Sequence, residues 1–317
     1  AFVLPHWLTF GYGNWSTPQT VTLTGIDDAI DDGDVSYTLA VGSAGSPATS
    51  SSDPSYLGAV APALPPFTNV DDDTAAIVVS ALNPGTGTTE ETGPASTAEF
   101  TVVLATEPTA TVTVPFASSD TGAATVPASI AFTTGDWSVP QTVTITGVAE
   151  NVDDGDTPYT ISVNAATSAD AVYNSLAAST TSFSLTHLDD DTAGISVSAL
   201  STSSTLESNP GATAVFDIVL TSEPAANVEI TVASSDVTEG TLSAVRALAP
   251  LVFTPGNWNT PVTVTVAGVN DDFDDGNIAY SVTLSAATSA DGTYSGMVPS
   301  VTSQALTNVD DDTAGLV

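Results

Sequence analysis

The stretch VFTPGNWNTPVTVTVAG, Val252 to Gly268, is the third writing of one text. It also reads TFGYGNWSTPQTVTLTG from Thr9 to Gly25 and AFTTGDWSVPQTVTITG from Ala131 to Gly147. Its second half alternates apolar residues with threonine at period two, the pattern of a half-buried strand, and a Gly/Pro/Asn turn precedes it. Trp15, Trp137 and Trp258 are 122 and 121 residues apart, so the repeating unit is the size of a domain, larger than a solenoid repeat. Downstream of each copy comes SSDPSYLG from Ser51, SADAVYNS from Ser168 and SADGTYSG from Ser289.

Each unit also carries two acidic runs at fixed places. The first is a knot: Asp27, Asp28, Asp31 and Asp32 in DDAIDDGD; Glu150, Asp153 and Asp154 in ENVDDGD; Asp271, Asp272, Asp274 and Asp275 in DDFDDGN. The second is a tag followed by threonine: Asp71, Asp72 and Asp73; Asp189, Asp190 and Asp191; Asp310, Asp311 and Asp312. Knots and tags together hold 22 of the 37 acidic residues.

Working outward in the third unit, strands are expected near Ile195–Leu200 (A), Ala212–Thr221 (B), Asn227–Ser234 (C), Leu248–Thr254 (D), Pro261–Val269 (E), Ala279–Ala286 (F) and Val301–Val309 (G). Seven strands in about 120 residues suit an immunoglobulin-like β-sandwich. Phe216, Ile218, Leu220, Val228, Ile230, Val232, Val262, Val264 and Val266 fall on its inward face. The fold class is therefore all-β, with tandem seven-stranded sandwiches in a linear array. Residues 1–73 carry strands D to G only, 74–191 and 192–312 are complete domains, and 313–317 begin the first strand of another. Either the array is longer, or another chain supplies the missing strands by β-augmentation.

Composition narrows the partners. With one basic residue, Arg246, and a formal net charge of −36, the chain is a poor match for nucleic acid or anionic lipid. No run of about 20 apolar residues is present to insert into a membrane. Zero cysteines exclude disulfides and thiolate metal sites. Charged residues are only 12%, below the roughly 25% of ordinary chains, so the acids are locally clustered on an otherwise uncharged surface.

In the sandwich, loops AB, CD and EF share one pole with the end of strand G. The EF knot and the tag therefore meet, joined by Glu207 from loop AB and Asp236 from the turn after strand C. Glu90, Glu91 and Asp120 are the second-unit counterparts. Loop FG of the following domain faces this pole, which sets Asp170 toward Asp71–Asp73 and Asp291 toward Asp189–Asp191. Two carboxylates about 4 Å apart repel by roughly 1 kcal/mol in water and several times that near protein, so such clusters call for a cation or open spacing. Six to eight hard oxygens suit Ca²⁺, whereas Zn²⁺ would want His or Cys. The spacing is not an EF-hand: counting from Asp271 puts Val282 where a bidentate Glu belongs, and a strand follows.

Glu207 early in the unit, the Asp236 turn, the Phe253–Trp258 segment and DDFDDGN before strand F together resemble the Calx-beta domain, in both complete units and the partial one. That resemblance implies a calcium-binding immunoglobulin-like sandwich with its sites at one pole. The family occurs in exchanger regulatory regions, integrin subunits and very large bacterial surface proteins, and the tandem Asp-tag linkers are similar to the last of these. The knots here end in Gly-Asp or Gly-Asn where the family's loop usually includes glutamates.

No Gly-x-Ser-x-Gly elbow, phosphate loop or zinc motif occurs, and His6 and His187 sit at unrelated repeat positions, so no enzyme activity is expected. His187 stands where Asn69 and Asn308 stand in the other units and reads as a structural turn residue; the tryptophans read as packing anchors. The expected function is structural: an extracellular or cell-surface fibre, filament or adhesin stalk whose joints are rigidified by Ca²⁺. Its partners would be neighbouring repeats or identical subunits. A Ca²⁺-sensing regulatory module and a ligand- or glycan-binding adhesin domain are the alternatives.

Overall fold

A computed structural model describes residues 1–42, 51–57, 59–83, 85, 87–90, 96–242 and 250–315, so Glu91 and Arg246 lie outside the described residues. The first unit has β1 (Phe2–Leu4), β2 (Thr22–Thr24), β3 (Val35–Tyr37) and β4 (Phe67–Asn69), in two antiparallel pairs, β1 with β2 and β3 with β4. None of its described residues is buried. The pairing Phe2↔Thr24 places β1 beside the strand that follows the tryptophan turn, while residues 7–10 hold no strand.

The second unit has β5 (Ile77–Val79), β6 (Gly87–Thr89), β7 (Thr97–Leu104), β8 (Val112–Ser118), β9 (Ala124–Thr125), β10 (Ser129–Phe132), β11 (Gln141–Gly147), β12 (Thr157–Val163), β13 (Thr167–Ser168) and β14 (Ser182–Leu188). One sheet runs β5-β7-β11-β9, and the facing sheet runs β10-β8-β12-β14-β6. The third unit repeats this with β15 (Ile195–Val197), β16 (Ser204–Leu206), β17 (Ala214–Leu220), β18 (Val228–Ile230), β19 (Val232–Ser234), β20 (Gly240–Leu242), β21 (Leu251–Phe253), β22 (Val262–Gly268), β23 (Ile278–Leu284), β24 (Thr288–Ser289) and β25 (Ser303–Val309). Here β15-β17-β22-β20 faces β16-β25-β23-β19, and β21-β18-β24 continues the layer of the latter.

The first expected strand, Ile195–Leu200, is the shorter β15, and β16, outside that range, follows it. β15 pairs antiparallel with β17 in one sheet, and the chain then crosses so that β16 pairs parallel with β25 in the other. This switch carries Glu207 to the pole, one residue beyond β16. The short β20 after the third expected strand was also not anticipated; it pairs Gly240 with Gly268 and shows no apolar period of its own. Strand alternation holds elsewhere: Phe216, Ile218, Leu220, Val264 and Val266 are buried, and Val262 is half-buried at the core's edge. Each fully buried Val, Ile or Phe contributes about 1.5–3 kcal/mol relative to exposure.

Phe100, Ile145, Ile161 and Tyr173 anchor the second core, in which the Phe100 ring meets Phe116 edge-on at 5.6 Å between centroids. Trp137 and Trp258 pack against the two cores, and their carbonyls accept the N–H of Leu104 and Leu220 at 3.1 Å. Trp15 is instead 70% exposed.

Candidate metal centre at the domain joints

The acidic knot lies between β22 and β23, and between β11 and β12 in the second unit, while the tag directly follows β25 and β14. Identical bonds tie knot to tag in all three units. Gly33, Gly155 and Gly276 have φ of +79°, +82° and +76°, a region that side-chain-bearing residues rarely adopt. Their N–H groups donate to Oδ2 of Asp71, Asp189 and Asp310 at 2.6, 2.6 and 2.7 Å. Oδ1 of the same aspartates accepts the N–H of Asp73, Asp191 and Asp312.

A second set of bonds reaches into the next domain. Oδ2 of Asp31, Asp153 and Asp274 accepts the N–H of Ala75, Ala193 and Ala314 at 2.8, 2.7 and 2.6 Å, which fixes the chain as it leaves the tag. The carbonyls of Ala29 and Asn151, inside the knots, accept the N–H of Glu107 and Glu223 from the β7–β8 and β17–β18 turns of the following domain, at 2.7 and 2.6 Å. Thr293 Oγ1 lies 3.5 Å from the Asp153 carbonyl.

Three carboxylate trios gather ligand atoms within 4.8 Å of one another among the described residues: Glu90 with Asp190 and Asp191, Glu90 with Glu150 and Asp154, and Glu207 with Asp271 and Asp312. Glu90 and Glu207 are only 5% and 2% exposed, and Glu90 Oε2, Glu150 Oε1, Glu207 Oε2 and Asp312 Oδ2 have no hydrogen-bond partner. A buried anionic oxygen without a partner is expensive, by several kcal/mol per ion, unless a cation or proton meets it. Burial foremost, then the charges of Glu150, Asp189, Asp154 and Asp191, pushes the Glu90 carboxyl up to about 7. Burial also raises Glu207, ahead of Asp310, Asp271, Asp275 and Glu239, and raises Asp191 and Asp312 ahead of their tag neighbours. Burial raises Glu150 as well, opposed by the N–H groups of Val152 and Asn151. Clustered hard oxygens with unpartnered lone pairs fit a Ca²⁺ ion, which takes six to eight oxygens at about 2.3–2.6 Å.

Four expected ligands have other roles. Asp170 and Asp291 are buried, but each turns back into its own domain: Oδ2 accepts the N–H of Thr109 or Ala225 at 2.7 Å, and Oδ1 that of Val172 or Thr293 at 2.9 Å. These bonds hold Asp170 below the ordinary carboxylate range in spite of its burial. Asp120 and Asp236 use Oδ1 to cap their own turns, on Gly122 at 2.8 Å and on Thr238, and neither joins a trio. The pole therefore receives trio carboxylates from three segments, against the four expected.

Asp153, Asp189, Asp274, Asp275 and Asp310, and the exposed Asp72, Asp272 and Asp311, also stand outside the trios. In the first unit Asp27, Asp28, Asp32, Asp71, Asp72 and Asp73 line a cleft of about 60 Å³, but no trio forms there among the described residues. Glu239, absent from the sequence expectation, is buried near Asn308. Its second-unit counterpart is Ala123, so comparing repeats hid it. His187 lies on β14 rather than in a turn and is buried, 3.4 Å from Glu90.

The Calx-beta domain family model matches residues 72–191 and 189–313. The chain belongs to the Calx-beta family, a calcium-binding, non-catalytic domain family. Among solved structures it is similar to "CBD12 from CALX1.2", at 14% identity and a TM-score of 0.32, covering 72% of this chain and 98% of that one. It is also similar to domains 4 and 5 of the S-layer protein SbsC, at 11% identity and a TM-score of 0.27, covering 62% of this chain and 69% of that one. No curated protein matches the chain. Among the described residues no helix is long and apolar enough to cross a membrane.

Proposed function

We propose that this chain is a structural segment of an extracellular or surface-displayed fibre, filament or stalk, in which Ca²⁺ at each joint locks one β-sandwich onto the next. The observation that carries this reading is the double duty of the knot between the second and third domains. Asp154 and Glu150 form a carboxylate trio with Glu90, while Asp153 and the Asn151 carbonyl hold Ala193 and Glu223 of the third domain. A cation that orders this knot therefore also orders the interdomain bonds. Without it, carboxylate repulsion loosens the loop and the joint with it.

The same pole of the third domain has the form of a docking face. Ile30 and Val152 are half-buried, one residue from the carbonyls that receive the following domain, whereas their counterpart Phe273 is 72% exposed. A further repeat or a second copy of the chain would cover it. In the two complete domains an adhesin reading draws less support, because Trp137 and Trp258 pack against the cores instead of forming an exposed platform.

The test is calorimetry and small-angle scattering of the intact chain with Ca²⁺ and with a chelator. A cation at 100 times its Kd adds about 2.7 kcal/mol per site, so melting rises and the scattering profile becomes that of a stiffer rod. Unchanged melting and dimensions would refute the reading. Micromolar affinity with reversible compaction would favour a Ca²⁺-sensing module, since extracellular structural sites work near 0.1–1 mM by order of magnitude.

A further inference from the structure

One position of the repeat, Asn69, His187 or Asn308, carries a polar side chain at the end of the last strand of each unit. In every unit it is aimed by the same surroundings. A glycine at the end of the strand after the tryptophan turn clears room for it: a Cβ on Gly25 would lie 2.4 Å from Asn69 Oδ1, on Gly147 3.0 Å from His187 Cε1, and on Gly268 2.5 Å from Asn308 Oδ1. The carbonyl of the next residue then anchors it. Asn69 Nδ2 donates to Ile26 at 2.9 Å, His187 Nε2 lies 3.0 Å from the Val148 carbonyl, and Asn308 Nδ2 donates to Val269 at 2.9 Å. In the two complete domains a buried threonine hydroxyl fixes the far side: Thr88 Oγ1 to His187 Nδ1 and Thr205 Oγ1 to Asn308 Oδ1, both at 3.0 Å.

With both flanks held, the remaining N–H capacity faces the central glutamate. Asn308 Nδ2 donates to Glu207 Oε1 at 3.0 Å and more weakly to Glu239 Oε2 at 3.4 Å, while Glu207 Oε2, the other oxygen of the first carboxylate, is buried without a partner in a residue that shares a trio with Asp271 and Asp312. In the second domain His187 Nε2 stands 3.4 Å from Glu90 Oε1, and again Oε2 is the unpartnered oxygen. An amide nitrogen has two hydrogens and serves carbonyl and carboxylate together. An imidazole Nε2 has at most one, which the Val148 carbonyl engages at the shorter distance.

We infer that this position holds a positioning residue of the cation centre: Asn308 holds one oxygen of the buried glutamate by a hydrogen bond so that the other is presented to Ca²⁺, whereas His187 only approaches Glu90 Oε1, at 3.4 Å and without a hydrogen bond, and so positions it more weakly. This rests on the calcium reading of the site and adds how each centre responds to exchange at this position. Loss of an outer-shell partner of a metal ligand typically lowers affinity by about 10–100-fold, and a shared N–H should cost roughly the lower end of that range or less.

The experiment is Ca²⁺ titration of the intact chain by calorimetry at about pH 8. Asn308→Ala should weaken the third-domain centre by about 10–100-fold, and Asn308→His should recover part of that loss. His187→Asn should tighten the second-domain centre, and His187→Ala should weaken it. Opposite shifts for the reciprocal exchanges Asn308→His and His187→Asn are the signature of positioning, since a residue needed only for packing would weaken binding in both. If Asn308→Ala fails to fold, the reciprocal pair decides, because each exchange installs a residue already used at that position in this chain. Alanine variants that bind like the parent, or exchanges that both weaken binding, overturn the positioning role while leaving calcium binding intact. A parent chain that takes up no Ca²⁺ overturns both readings.

Discussion

Gly155 and Asp189 are 34 residues apart in sequence, yet the glycine N–H donates to the aspartate Oδ2 at 2.6 Å and closes the knot onto the linker. The bond needs the glycine's φ of +82° to turn the N–H inward. Gly155→Ala should cost about 1–2 kcal/mol, the left-handed penalty of an ordinary residue. No neighbour within 4 Å would clash with the new Cβ, so the loss is conformational. Chemical denaturation should report that loss, together with weaker coupling between the second and third domains in stepwise unfolding.

Glu90→Gln should act in opposite directions with and without the cation. The variant removes a buried carboxylate that burial and neighbouring acids disfavour, so in chelator near pH 8 its melting temperature should rise by a few degrees. The same change deletes a member of two trios, so the increment produced by Ca²⁺ should shrink. A variant less stable than the parent in chelator would contradict this account of the pole.

The ion-free chain should lose stability as pH climbs. Glu90, Glu207, Glu150, Asp191 and Asp312 are all raised in the folded state, so their contribution is fully present below the unfolded-state values and is lost as pH passes through the folded ones. For Glu90 that window runs from the ordinary 4.5 to about 7. Melting in chelator should therefore fall across this range, and the gain from Ca²⁺ should grow across it as protons cease to compete. Asp71, Asp170 and Asp236 are shifted downward and oppose this only in acid, where their contribution disappears as pH falls below the ordinary aspartate range.

Asp170→Ala separates structural from cation-facing carboxylates. It frees two N–H groups, on Thr109 and Val172, and should cost about 1–2 kcal/mol as a lost cap does. The loss should be equal with Ca²⁺ and with chelator. A loss seen only with Ca²⁺ would return Asp170 to the ligand set.

Much of this architecture is legible along the chain. Alternation in Val262–Val266 and Phe216–Leu220 is a local, period-two signal, and recurrence of the tryptophan text marks the repeat without any fold in hand. The acidic pole is legible for the same reason: a tag and a knot that recur in step have to meet at one end of a sandwich. Where the reading went astray, local sequence was silent. Asp170 and Asp189 are both aspartates in polar loops, and only the packing of the β7–β8 turn over Asp170 decides that its Oδ2 is spent on Thr109.

The sequence by itself determined an all-β tandem array of Calx-beta domains and the place where charge collects, because periodicity and repetition are properties of a string. Tertiary structure decided which oxygens are buried without partners. It made Glu90 and Glu207 central by carrying β6 and β16 across to the second sheet, and it gathered Glu239 and Asn308 around Glu207. Burial depends on contacts between residues some hundred positions apart, such as Glu207 and Asn308, and no local pattern encodes such a contact.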